Sequence, residues 1–186
     1  AVETVLADAG DVPVKRISQQ VKLQAGESKT VRQQFAVRNP KLWSPDSPYL
    51  YRIQSRVKAG HEVLDGGVTR VGIRKAEFKG KDGFWLNGKP FGQLVRHQDF
   101  AYVGNALPNS QQWRDAKRLR DAGCTIIRVA HYPQDPAFMD ACDEMGLFVI
   151  VATPGWQYWN KDVKFGELVH QNTREMIRRD RNHTSA

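Results

Sequence analysis

One stretch of the sequence constrains the fold more than any other: residues 125–133, which run TIIRVAHYP. The stretch begins with β-branched and apolar residues, the pattern of a strand that is buried on both faces of a sheet. It ends with Arg128, His131 and an aromatic residue just before Pro133. An α/β barrel builds its binding site from polar side chains at the C-terminal ends of buried strands. The stretch therefore predicts a parallel sheet and the edge of that sheet where a site lies.

Helical patterns flank this strand. Residues 109–122 carry apolar or small side chains three to four positions apart, with Asn109 or Ser110 as the predicted N-cap and Gly123 as the stop. After the strand, Asp135 is the predicted N-cap of a second helix that Gly146 ends.

A second apolar run, residues 147–152, follows that helix. The order helix, strand, helix, strand predicts parallel strands joined by right-handed crossovers. Residues 163–181 predict a third helix. Its predicted buried side chains are Phe165, Leu168, Val169, Met176 and Ile177.

Residues 1–76 show a different pattern, that of short antiparallel strands. Val21 and Leu23 are predicted to form a hairpin with residues 31–37 around a turn at 24–28. Residues 49–57 alternate strictly between apolar and polar, and 63–74 predict a last extended segment. These are four or five strands, whereas an immunoglobulin-like sandwich needs about seven. We therefore expect the sequence to start one or two strands late.

The pattern changes near residue 76. Asn87 and Gly88 predict a hairpin turn, and the aromatic residues around it suit a hairpin that plugs the bottom of a barrel. Residues 91–97 then predict the first barrel strand. The predicted fold class is multidomain β plus α/β. An immunoglobulin-like β-sandwich at 1–76, N-terminally incomplete, precedes the first βα units of a (β/α)8 TIM barrel at 77–186, C-terminally incomplete.

Composition excludes some function classes. No apolar run approaches the roughly 18 residues of a membrane span, so no membrane partner is expected. The net charge of +8 raises the question of nucleic acid. The basic residues are spread along the chain, however, and the densest group, on the last predicted helix, suits a solvated helix face. We expect no nucleic-acid partner. Cys124 and Cys142 are predicted to be buried thiols rather than a disulfide.

The sequence does not assign the protein to a cellular compartment. The chain starts with neither a methionine nor a signal peptide, and an upstream signal would direct the protein to the periplasm or outside the cell.

Five motifs in order resemble glycoside hydrolase family 2, the family of β-galactosidases, β-glucuronidases and β-mannosidases, and the combination looks closest to the β-galactosidase branch. Residues 39–51 resemble the end of the sandwich that precedes the barrel in that family, and 72–74 resemble the link into the barrel. The five motifs are FWLNGKP at 84–90, RHQD at 96–99, GNAL at 104–107, RVAHYP at 128–133 and CDEMG at 142–146.

The resemblance implies a retaining β-glycosidase of carbohydrate metabolism that hydrolyses O-glycosidic bonds in a β-glycoside or oligosaccharide. It implies that His97 and His131 line the sugar pocket, with Arg128 beneath them and Asp99 at the rim. Trp156 lies on an aromatic loop after the third strand, where rings can stack on a sugar. Each residue also has a structural interpretation: a hydrogen-bonding strand-end histidine, an aspartate that caps its own loop, and a loop anchored by its own aromatic residues.

The departures from the family concern the chemistry. The family's acid/base glutamate ends a fourth strand and its nucleophile lies further on, whereas this sequence stops at Ala186. A retaining mechanism needs two carboxyl groups, and Asp99 is the one left near the predicted site. No catalytic residue is therefore assigned in this chain, and we expect it to be inactive alone. We also expect it to need the missing segments or to self-associate.

Two further expectations concern ligands. The His97 to Asp99 spacing could bind a metal, but two ligands in one loop do not make a site, so neither a metal nor a cofactor is predicted. The third strand ends at 151–154 without the family's Asp-Glu, and the sequence does not determine whether this changes the pocket. The alternative function is a non-catalytic carbohydrate-binding or scaffold piece.

Overall fold

The computed structural model describes residues 1–92, 94–97, 104, 106–155, 158 and 160–186. Three helices lie in the second half of the chain: α1 (Asn109–Asp121), α2 (Pro136–Met145) and α3 (Val163–Asp180). The strands are β1 (Val2–Ala7), β2 (Pro13–Gln19), β3 (Tyr51–Ala59), β4 (Glu62–Val71), β5 (Ala76–Phe78), β6 (Phe84–Leu86), β7 (Lys89–Pro90), β8 (Leu94–His97), β9 (Ile126–Val129) and β10 (Phe148–Ile150).

The first sheet is antiparallel, with strand order β2-β1-β3-β4. Its centre is β1, where Val5, Leu6 and Ala7 are buried. The sequence analysis missed β1 and β2, because in β1 the buried residues are consecutive and give no alternating signal.

The predicted hairpin between Val21, Leu23 and residues 31–37 is wrong as a pair of strands. A turn forms at 24–27, where Glu27 N donates to Gln24 O, but neither flank belongs to a strand. Residues 31–37 still alternate between half-buried and exposed side chains, and Gln33 Nε2 donates to Val2 O at 3.0 Å. The alternation therefore reflects packing on the first sheet, while a strand also needs a ladder partner.

The second sheet is parallel, with strand order β10-β9-β8. Side chains of β9 alternate between its two faces. Ile127 and Val129 are fully buried in a core with α1, α2 and β10, whereas Ile126 belongs to a separate aromatic cluster below. Arg128 is half-buried, and the alternation places it on the same face of β9 as Ile126. The helix-facing core confirms the βα alternation that the sequence predicted, although β8 spans 94–97 rather than 91–97.

Three helix ends follow their predicted chemistry. Asp135 caps α2 by accepting from Ala137 N at 2.7 Å, and Gly146 ends it in the left-handed region at φ 74°. After α1, Gly123 N donates to Arg120 O and Cys124 N donates to Leu119 O, the paired bonds of a Schellman motif. The start of α1 differs from the prediction, because its N-cap is Pro108, which offers no side-chain acceptor.

The third sheet, β5-β6-β7, is the predicted hairpin. Phe84 and Leu86 of β6 pack against Ile126 and Phe148, the first residues of β9 and β10. The Phe84 and Phe148 ring centroids lie 5.0 Å apart. Because first residues mark the amino ends of parallel strands, the hairpin covers the bottom of the barrel segment, as the sequence predicted.

Helix α3 is only partly packed. Phe165, Val169 and Met176 are half-buried, but Leu168 and Ile177 are each 55% exposed, which corrects the prediction that all five apolar residues lie inside. The correct helical period does not guarantee that a neighbouring element covers the whole apolar stripe. In the described ranges, none of the helices combines the length and the hydrophobicity of a membrane span.

Candidate functional site

The three parallel strands end at nearly the same level. Strand β8 ends at His97, which lies opposite Val129, the last residue of β9. Strand β10 ends at Ile150, which lies opposite Arg128. This register places the chain after each strand on one edge, with His131 two residues beyond Val129. We refer to it as the carboxyl edge.

Arg128 and His131 are three residues apart, so both can serve one site only if the strand ends between them. Strand β9 does end between them, at Val129. Both side chains are half-buried. With the residues that the structure describes, Arg128 makes neither an ion pair nor a side-chain hydrogen bond. Arg128 thus places a cation on the face opposite the helices, below the carboxyl edge.

For three predicted site residues, the structure describes the backbone at most. The structure describes the backbone of His97 as the end of β8. Asp99 and Trp156 lie outside the described residues.

The described polar groups at the carboxyl edge are engaged locally. Asp135 caps α2 and so uses its carboxylate on a backbone amide. Thr153, where the third strand departs from the family pattern, is half-buried and directs its hydroxyl to Met176 Sδ at 3.9 Å. Neither residue offers the second carboxylate that a retaining mechanism requires.

A second polar cluster, which the sequence analysis did not predict, lies at the other end of the sheet. Asp143 is almost fully buried near the end of α2. Its Oδ1 accepts from Ser185 N at 2.7 Å and its Oδ2 is 2.8 Å from His183 Nδ1. The hydrogen bond to Asp143 raises the pKa of His183, while burial opposes that rise. Asp143 lies eight residues after the Asp135 cap, which is about 12 Å along a helix, and the helices of a barrel run antiparallel to its strands, so this cluster lies toward the amino ends of the strands.

Two arginines, one on β4 and one in the segment that follows it, complete this cluster. Arg70 of β4 is 2.9 Å from Asp140 Oδ1 and also pairs with Glu144. Arg74 donates to the Ala186 carbonyl and lies 4.8 Å from the centre of the Phe148 ring. Burial lowers the pKa of Arg74, and the negative charge of Asp143 opposes that change. The signal for the cluster was the motif at 142–146, but local spacing does not reveal its contact with residues 183–185, which lie about 40 positions further along the chain.

The same cluster includes the described group of side chains with metal-ligand spacing. Donor atoms of Asp140, Asp143 and His183 lie within 4.8 Å of one another. Arg70 already neutralises Asp140, and His183 and Ser185 use both oxygens of Asp143. The group is therefore part of an ion-pair network.

The chain is similar to known proteins along nearly its whole length. The family model of glycosyl hydrolases family 2 matches residues 2–74, and the model of the TIM barrel domain of glycosyl hydrolases family 2 matches residues 77–186. A β-galactosidase of Thermoanaerobacter pseudethanolicus is 42% identical over 83% of this chain and 21% of its own. A putative β-glucuronidase of Formosa agariphila is 37% identical over 73% of this chain and 18% of its own.

Solved structures agree. A family 2 glycosyl hydrolase from Bacteroides cellulosilyticus covers 99% of this chain at a TM-score of 0.86 and 32% identity, matching 25% of that chain. The β-glucuronidase of Bacteroides uniformis gives the same TM-score at 30% identity, with 99% of this chain and 23% of that chain covered. The chain spans about a fifth of the length of the curated relatives it matches. Two family models in tandem, close relatives and full structural overlap together show that the chain belongs to family 2 of the glycosyl hydrolases.

Proposed function

We propose that this chain supplies part of the sugar-binding site of a retaining β-glycosidase, most like a β-galactosidase, whose catalytic carboxylates lie outside the sequence. The observation that carries the proposal is the carboxyl edge, where β8 ends at His97 and His131 lies two residues beyond the end of β9. Arg128 is half-buried one residue before that end. Two curated relatives, 42% and 43% identical, are named β-galactosidase.

In this proposal the chain's residues bind and orient the substrate. His97 and His131 hydrogen-bond sugar hydroxyls, since imidazole nitrogens can donate or accept. Arg128 supplies positive charge beneath them, which would stabilise a carboxylate arriving from a later strand. Asp99 and Trp156 are proposed at the rim, the former for hydroxyls and the latter for stacking on a sugar face.

The chemistry itself needs two carboxyl groups about 5–5.5 Å apart, one as nucleophile and one as general acid/base. Asp135 is committed to capping α2, and Asp143 lies in the cluster at the opposite end of the sheet. Asp99 alone cannot perform a double displacement. The chain by itself is therefore proposed to be inactive, and a chain extended through the downstream coding region is proposed to be active.

The test compares these two chains on aryl β-galactosides, with aryl β-glucuronides as a second substrate. We expect turnover of the galactoside by the extended chain only. His131→Ala in the extended chain should lower kcat/KM by about 100-fold, the usual effect of removing one group that stabilises the transition state. His61→Ala, an exposed histidine in the turn before β4, is the matched control and should leave activity unchanged.

Three outcomes would contradict the proposal. Turnover by the 186-residue chain that Asp99→Asn abolishes would show that the catalytic pair is misplaced. Sugar binding by an inactive extended chain would favour the non-catalytic carbohydrate-binding alternative. Inversion at the anomeric carbon, read from the first product by proton NMR, would refute the retaining mechanism.

A further inference from the structure

The cluster around Asp143 joins parts of the chain that are far apart in sequence. Asp143 belongs to α2, and it holds the tail after α3 through His183 and Ser185, which are 40 and 42 residues away. The tail in turn contacts the segment that follows β4, because Thr184 Oγ1 accepts from Gly72 N and the Ala186 carbonyl accepts from Arg74. The buried Asp143 carboxylate thus links α2 and the tail to residues 72–74, the segment that follows β4.

The contact between the tail and this segment is tight. A Cβ on Gly72 would lie 2.5 Å from Thr184 Cγ2 and 2.7 Å from Trp43 Cβ, closer than side-chain atoms approach. The tail therefore cannot move without changing the contact with Gly72. The position of Thr184 depends on its two neighbours, His183 and Ser185, and both of these are held by Asp143.

Among the described charged side chains of this junction, a protonated His183 supplies the fourth positive charge for four carboxylates. The carboxylates are more numerous than the permanent cations by one. The four carboxylates are Asp140, Asp143 and Glu144 on α2 and Asp180 on α3, and the three guanidinium groups are Arg70 on β4, Arg74 after it, and Arg179 on α3. Arg70 serves Asp140 and Glu144, and Arg179 serves Asp180. Asp143 is left with Arg74 at longer range and with His183 in direct contact.

Solvent can reach this imidazole. A cavity of about 300 Å³ lies between β4 and α2, and Thr69, Arg70, Asn182 and His183 line it. A proton can therefore exchange with water while Asp143 itself stays buried.

We propose that His183 and Asp143 form a proton-dependent latch between the sandwich and the barrel segment, closed while His183 is charged and loosened when it is neutral. A neutral imidazole can still donate one hydrogen bond to Asp143, but the bond loses its charge assistance and the buried carboxylate loses its nearest cation.

The direction of the pH dependence follows from the raised pKa of His183. A histidine whose pKa is higher in the folded state contributes its full stabilisation below its ordinary pKa near 6.5. That contribution disappears as the pH rises through the folded-state pKa. The latch therefore opens on the alkaline side.

The test is amide hydrogen exchange in the 186-residue chain, measured by NMR from about pH 5.5 to 8.5 and corrected for the intrinsic rate. Ser185 N and Gly72 N report the latch, because they donate to Asp143 and Thr184. Val5 N in the buried centre of β1 reports global opening. We expect protection at Ser185 and Gly72 to fall roughly three- to tenfold as the pH rises and to stay below that of Val5 at every pH. Protection at Val5 should fall by no more than the same factor, because global opening also breaks the contact between His183 and Asp143.

Two variants distinguish the latch from general stability effects. His183→Gln keeps a hydrogen-bond donor without a titratable proton, and it should hold the low protection of the alkaline wild type at every pH. His61→Gln is the matched control at the opposite end of β4, about 30 Å away at 3.3 Å per residue, and it should behave as wild type. Wild-type protection at Ser185 and Gly72 that does not vary with pH, protection there that equals that of Val5, or a pH dependence that survives in His183→Gln would each overturn the proposal.

Discussion

At the scale of single residues, Trp43 is the point where the sandwich, the hairpin and the barrel segment meet. It is fully buried, and its indole Nε1 donates to Asp143 O at 2.8 Å. Its own carbonyl accepts from Asn87 Nδ2 in the hairpin, and its amide donates to Ile73 O. A buried indole with a satisfied N–H both packs and orients its surroundings, so the side chain and backbone of this one residue together contact three segments.

Gly146 is a second such residue, and its substitution can be predicted. It ends α2 at φ 74°, and a Cβ there would lie 2.4 Å from Pro45 O, a backbone atom that cannot rotate away. Gly146→Ala should therefore lower the free energy of unfolding by about 3 kcal/mol, combining a left-handed backbone penalty with a steric clash. The measurement is urea unfolding followed by circular dichroism at low protein concentration.

Gly123 provides the matched control, since it follows α1 at φ 83° and a Cβ added there would have no neighbouring atom within 4 Å. Gly123→Ala should cost only the backbone penalty of about 1–2 kcal/mol. Equal losses in the two variants would mean that the approach of Pro45 to Gly146 adds nothing.

At the scale of elements, the hairpin β5-β6-β7 is held to the barrel segment by one face. Phe84 packs against Phe78, Phe91 and Phe148, with ring centroids 5.0 to 6.2 Å apart. Phe78 lies opposite Phe84 in the strand register, but its side chain is 87% exposed. The two residues are thus the same amino acid on the same hairpin in different environments.

This pair tests whether the hairpin stabilises the barrel segment. Phe84→Ala should lower the free energy of unfolding by about 2–4 kcal/mol, because it removes aromatic contacts beneath β10. Phe78→Ala should change it by less than about 1 kcal/mol, since little area becomes exposed. The check is the shift of the urea midpoint at constant slope. Urea midpoints of both variants that equal the wild-type midpoint would show that the hairpin does not stabilise the barrel segment.

Helices α2 and α3 show how differently two amphipathic helices can be packed. Helix α2 has six buried residues in its ten, whereas α3 has one in its eighteen, Asp180. Arg179 of α3 donates to the carbonyl of Gln134, which precedes α2, at 2.8 Å. The strength of a helical period therefore says which face is apolar, and the neighbouring elements decide how much of that face is covered.

At the scale of the whole molecule, the sandwich and the barrel segment share a buried junction. Arg120 of α1 donates to Pro45 O at 2.8 Å, and the Asp143 cluster connects α2 and the tail to the segment after β4. The proline-rich loop at 44–48 is thus part of the junction rather than a free linker. The division of the chain near residue 76 stays a prediction.

Self-association of the 186-residue chain is a further prediction at this scale. Large apolar side chains are exposed on β4, on the hairpin, on β10 and on α3, as at Val68, Phe78, Ile150 and Leu168. Several such patches on one chain favour association, and β10 is also the edge strand of its sheet. Light scattering should show an apparent mass that rises with concentration in the micromolar range. A monodisperse monomer with one sharp unfolding transition would contradict this.

The local features of this fold were predictable because each depends on residues close together in the chain. Asp135 and Pro136 start α2, Gly123 and Gly146 end their helices, and the turn at Asn87 forms the hairpin. The apolar runs of β9 and β10 identify a parallel sheet, since strands buried on both faces need continuous rather than alternating hydrophobicity. Family motifs then placed His97 and His131 at the carboxyl edge as a proposal.

Only the tertiary structure decided the features that depend on distant partners. Residues 31–37 have the alternation of a strand but no ladder partner, and Leu168 has the helical period of a core residue but no cover. The junction is the clearest case, because Trp43, Asp143 and His183 come together across 40 to 100 residues. By itself the sequence determines turns, caps and buried runs through short-range sterics and hydrogen bonds. Which polar groups meet in the interior depends on the packing of whole elements, and no local pattern records it.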